Sequence, residues 1–134
     1  MMSLAYLIDT DWIIDHFSHI QRTTQKLKAL QSAGIAMSII SLAELHEGIH
    51  YSKNPSQSQQ VLETFLQEIP VLGVDEQICK VFGKERGRLR QEGKTISDFD
   101  LLIAATCLSY SLTLLSNNRK HYERIEGLTI YSLQ

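Results

Sequence analysis

Short, mostly apolar runs alternate along this chain with longer stretches in which apolar residues recur at helical spacing. The first run, residues 4–8, has no polar interruption. Continuous hydrophobicity of that length is typical of a strand covered on both faces by helices. Four further segments predict strands at residues 35–40, 71–74, 112–115 and 128–131.

The stretches between these runs predict helices. Thr10 is suited to cap a first helix, and residues 20–31 form a second amphipathic segment. Ser41 and Glu44 match the S-x-x-E capping box and predict a helix that runs to about His50. Further helices are predicted over residues 55–69, 75–93 and 97–108, the last capped by Ser97 or Asp98, with a short helical turn at residues 121–125.

Strands that alternate with helices indicate an α/β protein. We predict a three-layer fold in which a mostly parallel central sheet of about five strands is flanked by helices. The chain has 134 residues, of which 43% are hydrophobic, and this is enough to bury a substantial core. Because no repeat or linker divides it, we expect residues 1–134 to form a single domain.

Composition indicates the cellular compartment but does not identify a function. Cys79 and Cys107 lack any CxxC spacing, so we expect two buried thiols in a reducing compartment. No stretch approaches the roughly 20 apolar residues that a membrane span requires, and we therefore expect a cytoplasmic protein with no membrane partner. The net charge is −2, yet six of the thirteen basic residues lie in residues 80–94. This basic run predicts either phosphate contacts or a solvated helix face.

Polar oxygen-bearing side chains gather at one predicted edge of the sheet. In a parallel sheet with crossover helices, each strand ends at the edge where the next helix begins, and ligands bind there. Asp9 and Asn118 follow strands, whereas Glu44, Asp98 and Asp100 lie where helices begin. Each acid alone has a local explanation, as a turn former, a cap or a partner of the helix dipole. Those local explanations do not account for their shared position.

Crowded carboxylates repel one another unless a proton or a cation compensates them. Hard oxygen ligands suit Mg²⁺ or Mn²⁺, which retain bound water and bridge to phosphate oxygens. A metal-activated water can attack a phosphodiester in line. The sequence therefore predicts metal-dependent hydrolysis of a nucleic acid, with the basic run beside the acids.

Four motifs in order resemble the PIN domain, and specifically the VapC-type toxins of type II toxin–antitoxin systems. They are Leu7-Ile8-Asp9-Thr10-Asp11, Ser41-Leu42-Ala43-Glu44-Leu45 with Gly48, Asp100-Leu101-Leu102-Ile103-Ala104-Ala105-Thr106, and Leu114-Leu115-Ser116-Asn117-Asn118 with Tyr122. The resemblance extends over essentially the whole chain. It implies a PIN-like fold and a Mg²⁺-dependent endoribonuclease, with Mn²⁺ as an alternative ion.

The resemblance also assigns roles and partners. Asp9 and Asp100 are expected to be the metal ligands, with Glu44 as the third acid and Ser116 as a hydroxyl that orients the site. Asn118 stands where many PIN domains carry a fourth acid. Asp98 is an auxiliary acid candidate, whereas the role of Asp11 is left open. The resemblance further implies an RNA substrate, inhibition by a cognate antitoxin protein and a homodimer.

Two alternatives remain at this stage. His46, Glu47 and His50 fit the H-E-x-x-H pattern of zinc metalloproteases, with His121 as the one downstream histidine available as a third ligand. A non-catalytic module is the second alternative, either an α/β receiver using Asp9 or Asp11 or a PIN fold retained for RNA binding.

A partner surface is expected on the early helices. We expect them, with the polar loop after Tyr51, to contribute to the antitoxin-binding surface. Trp12 and Phe17 could pack in the core or face a partner, and in this hypothesis they contact the antitoxin.

Overall fold

A computed structural model describes residues 3–133, which contain five strands and seven α-helices. The strands are β1 (Tyr6–Ile8), β2 (Ile35–Ser38), β3 (Val71–Leu72), β4 (Thr113–Leu115) and β5 (Ile130–Tyr131). The helices are α1 (Thr10–Phe17), α2 (Gln21–Leu30), α3 (Ile39–His50), α4 (Pro55–Leu66), α5 (Glu76–Gln91), α6 (Asp98–Tyr110) and α7 (Arg119–Tyr122), with a 3₁₀ turn at Gln31–Ala33. None of the helices in this part of the chain is long and apolar enough to cross a membrane.

The sheet has the strand order β3-β2-β1-β4-β5, and every neighbouring pair is parallel. Successive residues of β1 point to opposite faces, so Leu7 packs with α5 and α6 while Ile8 packs with α1 and α3. Leu114 and Leu115 of β4 divide in the same way. The central strands are therefore buried on both faces, which explains their continuous apolar runs. The predicted three-layer α/β fold is confirmed.

Two predicted helix caps are wrong by a few residues. Asp9, rather than Thr10, is the residue before α1, and its Oδ1 accepts a hydrogen bond from the Thr10 N–H at 2.9 Å. Ser38, rather than Ser41, caps α3 by accepting from the N–H of Ile40. Ser41 consequently lies buried inside the helix, so the capping-box interpretation of Glu44 does not hold.

The strand predicted over residues 35–40 ends at Ser38 because α3 already begins at Ile39, and the helical turn predicted at residues 121–125 is α7, Arg119–Tyr122. Other local signals are confirmed. Pro55 occupies the first turn of α4, and Ser97 caps α6. Cys107 is buried as expected, but Cys79 is exposed. Cys79 lies on the solvent face of the amphipathic helix α5, next to the buried Ile78.

Candidate active site

Asp9 lies at the carboxyl end of β1, where it is almost completely buried. The Ser116 hydroxyl, which follows β4, donates to Asp9 Oδ2 at 2.7 Å. The N–H of Asn118 donates in turn to Ser116 Oγ at 3.0 Å. Neighbouring parallel strands thus deliver an acid and the hydroxyl that orients it to the same edge, as the topology predicts.

Tyr122 joins Asp9 to Asp100. Its hydroxyl lies 3.2 Å from Asp9 Oδ1 and 3.3 Å from Asp100 Oδ1, and the whole side chain is buried. Asp100 is in the first turn of α6, and its Oδ2 is 3.4 Å from Nδ1 of His121. Because a phenol has one hydrogen, Tyr122 can donate to only one of the two carboxylates at a time. Tyr122 thus bridges the two acids, but it does not compensate the negative charge of both.

Glu44 is attached to this pair through Thr10. The Thr10 hydroxyl is 2.7 Å from Glu44 Oε1 and 2.8 Å from Ser41 Oγ. A carboxylate only accepts hydrogen bonds, so Thr10 donates to Glu44 and receives the hydrogen of Ser41. Since Thr10 directly follows Asp9, this chain of hydrogen bonds fixes the position of α3 relative to the acid of β1.

Burial and crowding perturb the acids of this cluster. Burial, and after it the charge of Asp11, raises the pKa of Asp9 to about 7. Burial also raises the pKa of Asp11 and that of the Tyr122 phenol. A buried anion is costly without a compensating charge. The ionised acids therefore destabilise the site, and a bound proton or cation removes that unfavourable free energy.

The donor set suits a hard divalent cation held by few protein ligands. No group of three or more His, Cys, Asp or Glu side chains between residues 3 and 133 is close enough to share one ion. Asp9 and Asp100 thus offer two carboxylates. Mg²⁺ is commonly held in proteins by one or two carboxylates, with water and substrate phosphate completing its shell.

The sequence matches the PIN domain family over residues 6–128. The chain belongs to the PIN domain family. Ribonuclease VapC1 of Haemophilus influenzae strain R2866 is 33% identical over 131 residues, which cover 93% of this chain and 95% of that protein. The tRNA(fMet)-specific endonuclease VapC of Shigella flexneri is 28% identical over 125 residues, covering 93% of this chain and 95% of that protein.

A solved structure shares the same architecture. VapBC2 from Rickettsia felis, bound to a DNA fragment from its promoter, superimposes with a TM-score of 0.92 at 30% sequence identity. The match covers 98% of this chain and 100% of the compared chain. The PIN-like fold expected from the four sequence motifs is therefore confirmed.

The remaining candidate acids of this PIN domain have other partners. Asp98 is exposed and forms an ion pair with Arg86 instead of joining Asp9 and Asp100. Asp11 accepts hydrogen bonds from the N–H groups of Trp12 at 2.8 Å and Asn117 at 2.9 Å. Asp11 thereby links α1 to the segment after β4.

Asn118 directs its backbone, rather than its side chain, toward the acids. The side chain is exposed and makes no hydrogen bond to any of residues 3–133, while the N–H holds Ser116. The carbonyl oxygen of Asn118 accepts from the N–H of Tyr122 at 3.3 Å. The turn at Asn118 thus connects both hydroxyls that contact Asp9.

The basic run lies on α5, where most of its cations are already paired. Arg88 contacts Glu85 at 2.9 Å and Glu92 at 2.8 Å, and burial of Glu85 makes this a structural pair. Lys94 also lies near Glu92, and Arg86 is held by Asp98. The run contributes less free positive charge beside the acids than its composition predicts.

The H-E-x-x-H residues lie on the solvent face of α3. His46, Glu47 and His50 are all exposed, and the ring of His50 packs edge-on against Tyr51. His121 instead lies near Asp100, 3.4 Å from its Oδ2. Within residues 3–133 nothing assembles around the two histidines as a zinc site requires.

Trp12 lies in the core and does not present a surface to a partner. It is fully buried, its Nε1 donates to Asn117 Oδ1 at 3.1 Å, and its ring packs edge-on against Tyr131. The expectation that Trp12 contacts an antitoxin is wrong because the indole is not accessible. Ile14, half exposed on the same helix, is the apolar residue that α1 offers to solvent.

Tyr122 and Thr10 make contacts to the acids that the sequence pattern did not predict. Each belongs to one of the four motifs, but the motifs do not give the partners of their hydroxyls. Both act through hydroxyls whose partners lie far away in sequence. The adjacency of a hydroxyl residue to Asp9 was the only local signal available for Thr10.

Proposed function

We propose that this chain is a divalent-metal-dependent endoribonuclease and the toxin of a toxin–antitoxin pair, with Mg²⁺ as its ion and Mn²⁺ as a substitute. The observation that carries the proposal is the pairing of Asp9 and Asp100 on one buried hydroxyl. Two acids so placed, with no Lys or Arg side chain bonded to either within residues 3–133, favour a bound cation.

In this proposal Asp9 and Asp100 hold the ion. When bound, it supplies an activated water and neutralises charge on the phosphate that is attacked. Ser116 holds the Asp9 carboxylate from the β4 side, and Tyr122 fixes its spacing from Asp100. Burial excludes bulk water from Asp9, which strengthens its interaction with a cation.

Glu44 is the third acid of this proposal, attached to Asp9 through Thr10 and not a third ligand of the ion. Thr10 orients one oxygen of Glu44 and leaves the second without a described partner, free to accept a proton or a hydrogen bond from water. Asn118 adds no charge where a fourth acid would stand, and Asp98 is paired with Arg86 and takes no part in holding the ion. A single tightly held ion is therefore expected.

Transfer RNA is the substrate class that we propose. The Shigella relative is named a tRNA(fMet)-specific endonuclease, and it aligns over 93% of this chain. The polar edge that carries the acids is open on the α6 and α7 side, which leaves access for a folded RNA.

An apolar groove between α1, α3 and α4 is the proposed antitoxin surface. It has a volume of about 510 Å³ and is lined in part by Ile14, Phe17, Leu45 and Val61, with Glu44 at one end. The Rickettsia structure is of a VapBC complex. An amphipathic segment of the antitoxin in this groove would reach the acidic cluster and block it. The expected homodimer is a separate prediction that sedimentation of the isolated chain checks.

Cleavage of a tRNA transcript by purified protein tests the function. We expect activity with Mg²⁺ or Mn²⁺ that EDTA removes and that Asp9→Asn or Asp100→Asn lowers by at least about a hundredfold. Glu47→Gln is the matched control, because Glu47 is exposed and would be essential only in a zinc protease. Retained cleavage in both Asp variants would refute the proposal. Loss of cleavage in Glu47→Gln would contradict the assignment of catalysis to Asp9 and Asp100.

A further inference from the structure

A cleft of about 380 Å³, lined by both polar and apolar groups, opens directly beside Asp100. It lies between the segment that precedes α6 and the segment that follows α7. Its lining residues are Thr95, Ile96, Ser97, Asp100, His121 and Arg124. Because Asp100 forms one wall, an RNA strand whose phosphate reaches the proposed metal site would continue into this cleft.

Arg124 supplies positive charge to the cleft. Its guanidinium donates to the carbonyl oxygen of Thr95, which is the only hydrogen bond of that side chain within residues 3–133. No carboxylate in this part of the chain lies within ion-pair distance of it. A guanidinium carries five N–H donors, so most of those of Arg124 remain available.

This availability distinguishes Arg124 from Arg86 and Arg88 of the basic run. Its place in the cleft lining distinguishes it from Lys84 and Arg90, which are unpaired within residues 3–133. Arg86 is paired with Asp98, and Arg88 is paired with Glu85 and Glu92. An arginine already paired with carboxylates gains little from a phosphate, because the new contact replaces an existing one. Arg124 has no such pair to give up, and its fork geometry suits phosphate oxygens.

The cleft also contains hydroxyl groups that can donate hydrogen bonds. Ser97 Oγ accepts the N–H of Asp100 at 3.2 Å, which leaves the hydroxyl hydrogen free. The side chain of Thr95 is exposed at the mouth of the cleft. Ile96 is buried and forms an apolar floor. A charged donor, free hydroxyls and an apolar floor together fit a nucleotide better than they fit a free anion.

We propose that this cleft binds the RNA nucleotide next to the cleaved phosphodiester, with Arg124 contacting its phosphate. The inference rests on the proposed ribonuclease function and adds to it a substrate-positioning subsite outside the metal-binding acids. Arg124 thus acts on RNA affinity and leaves metal binding unchanged.

Binding of a fluorescently labelled tRNA transcript, followed by anisotropy in the Asp9→Asn background, separates affinity from cleavage. We expect Arg124→Gln to weaken binding about tenfold. We also expect the slope of log affinity against log salt to fall by about 0.7 to 0.9, the value for one lost phosphate contact. Arg90→Gln removes the same charge from an exposed site on α5 and is the control. Its effect should stay below about twofold.

A second pair of variants tests the inference even if Arg124→Gln fails to fold. Thr95→Glu places a carboxylate at the mouth of the cleft, whereas Thr129→Glu makes the same change at another exposed threonine, just before β5. Only Thr95→Glu should weaken RNA binding.

Equal affinities and salt slopes within each pair of variants would overturn the inference while leaving ribonuclease activity of the wild type intact. Absence of any RNA binding or cleavage by the wild type would instead refute the proposed function, and the subsite with it.

Discussion

Replacing Asp9 with Asn should abolish catalysis and yet make the metal-free protein more stable at pH 8. The reason is the pKa of Asp9, which burial, and after it the charge of Asp11, raises from 3.8 to about 7. The ionised form is therefore less favourable in the folded protein than in the unfolded chain. An amide of the same shape carries no charge and avoids this cost, and rotation of the Ser116 hydroxyl accommodates its NH₂ group.

The sign of the effect follows from proton linkage. An acid whose folded pKa is raised destabilises the fold as pH increases from its unfolded pKa, near 4, to its folded pKa, near 7. Above pH 7 the penalty is constant. A rise from 3.8 to about 7 corresponds to about 4 kcal/mol, which is an upper bound because the site can relax or admit water.

Thermal unfolding in EDTA measures this difference. At roughly 4 °C per kcal/mol for a domain of this size, a gain of only about 1 to 3 kcal/mol raises the Tm of Asp9→Asn by about 4 to 12 °C at pH 8. The difference should shrink as the pH falls and disappear below about pH 3, where Asp9 is protonated in both the folded and the unfolded state. Asp15→Asn removes the same charge from the same helix and is the control; it should not raise the Tm at pH 8.

Divalent cations should raise the Tm of the wild type but not that of Asp9→Asn. Saturating Mg²⁺ stabilises the wild type by mass action, by about 2.7 kcal/mol at a hundred times its Kd, and has no effect on Asp9→Asn. A Tm of Asp9→Asn equal to or below that of the wild type at pH 8, in EDTA, would refute the electrostatic account of this site.

Three further predictions concern the contacts around Asp9. Tyr122→Phe keeps the buried ring but loses the bridging hydroxyl, so it should weaken Mn²⁺ binding, measured by calorimetry, about tenfold. Tyr110→Phe makes the same change at an exposed position and should leave Mn²⁺ binding unchanged. Thr10→Val removes the donor to Glu44 and should lower kcat about tenfold, with a loss of about 1 to 3 kcal/mol in chemical denaturation; unchanged kcat would contradict the role of Thr10. Ile14→Glu should weaken antitoxin binding at least about tenfold in a surface-binding assay without altering tRNA cleavage by the free toxin, and equal binding would exclude the groove.

The strands and the shared position of the acids could be predicted because both follow from rules that act along the chain. A strand buried on both faces must be apolar throughout, and parallel connections bring every strand end to one edge. Asp9, Glu44 and Asp100 therefore converge without any knowledge of side-chain contacts. The family motifs added the identity of the fold.

The errors and omissions arise where tertiary contacts decide between similar local signals. Ser38 and Ser41 are both plausible caps, and the helix starts after Ser38 because β2 ends there. The role of Tyr122 depends on how the four-residue helix α7 is held by Ser116 and Asn118, which no periodic pattern encodes. Trp12 was ambiguous because an indole beside an active site is as suitable for a core as for an interface.

The location of the bound ion tests the central claim most directly. Anomalous diffraction from crystals soaked in Mn²⁺ should show a peak in contact with carboxylate oxygens of both Asp9 and Asp100, at about 2.0 to 2.3 Å. The peak should be absent in Asp100→Asn. A peak at His46 and His50, or none at Asp9 under conditions that support RNA cleavage, would contradict the account.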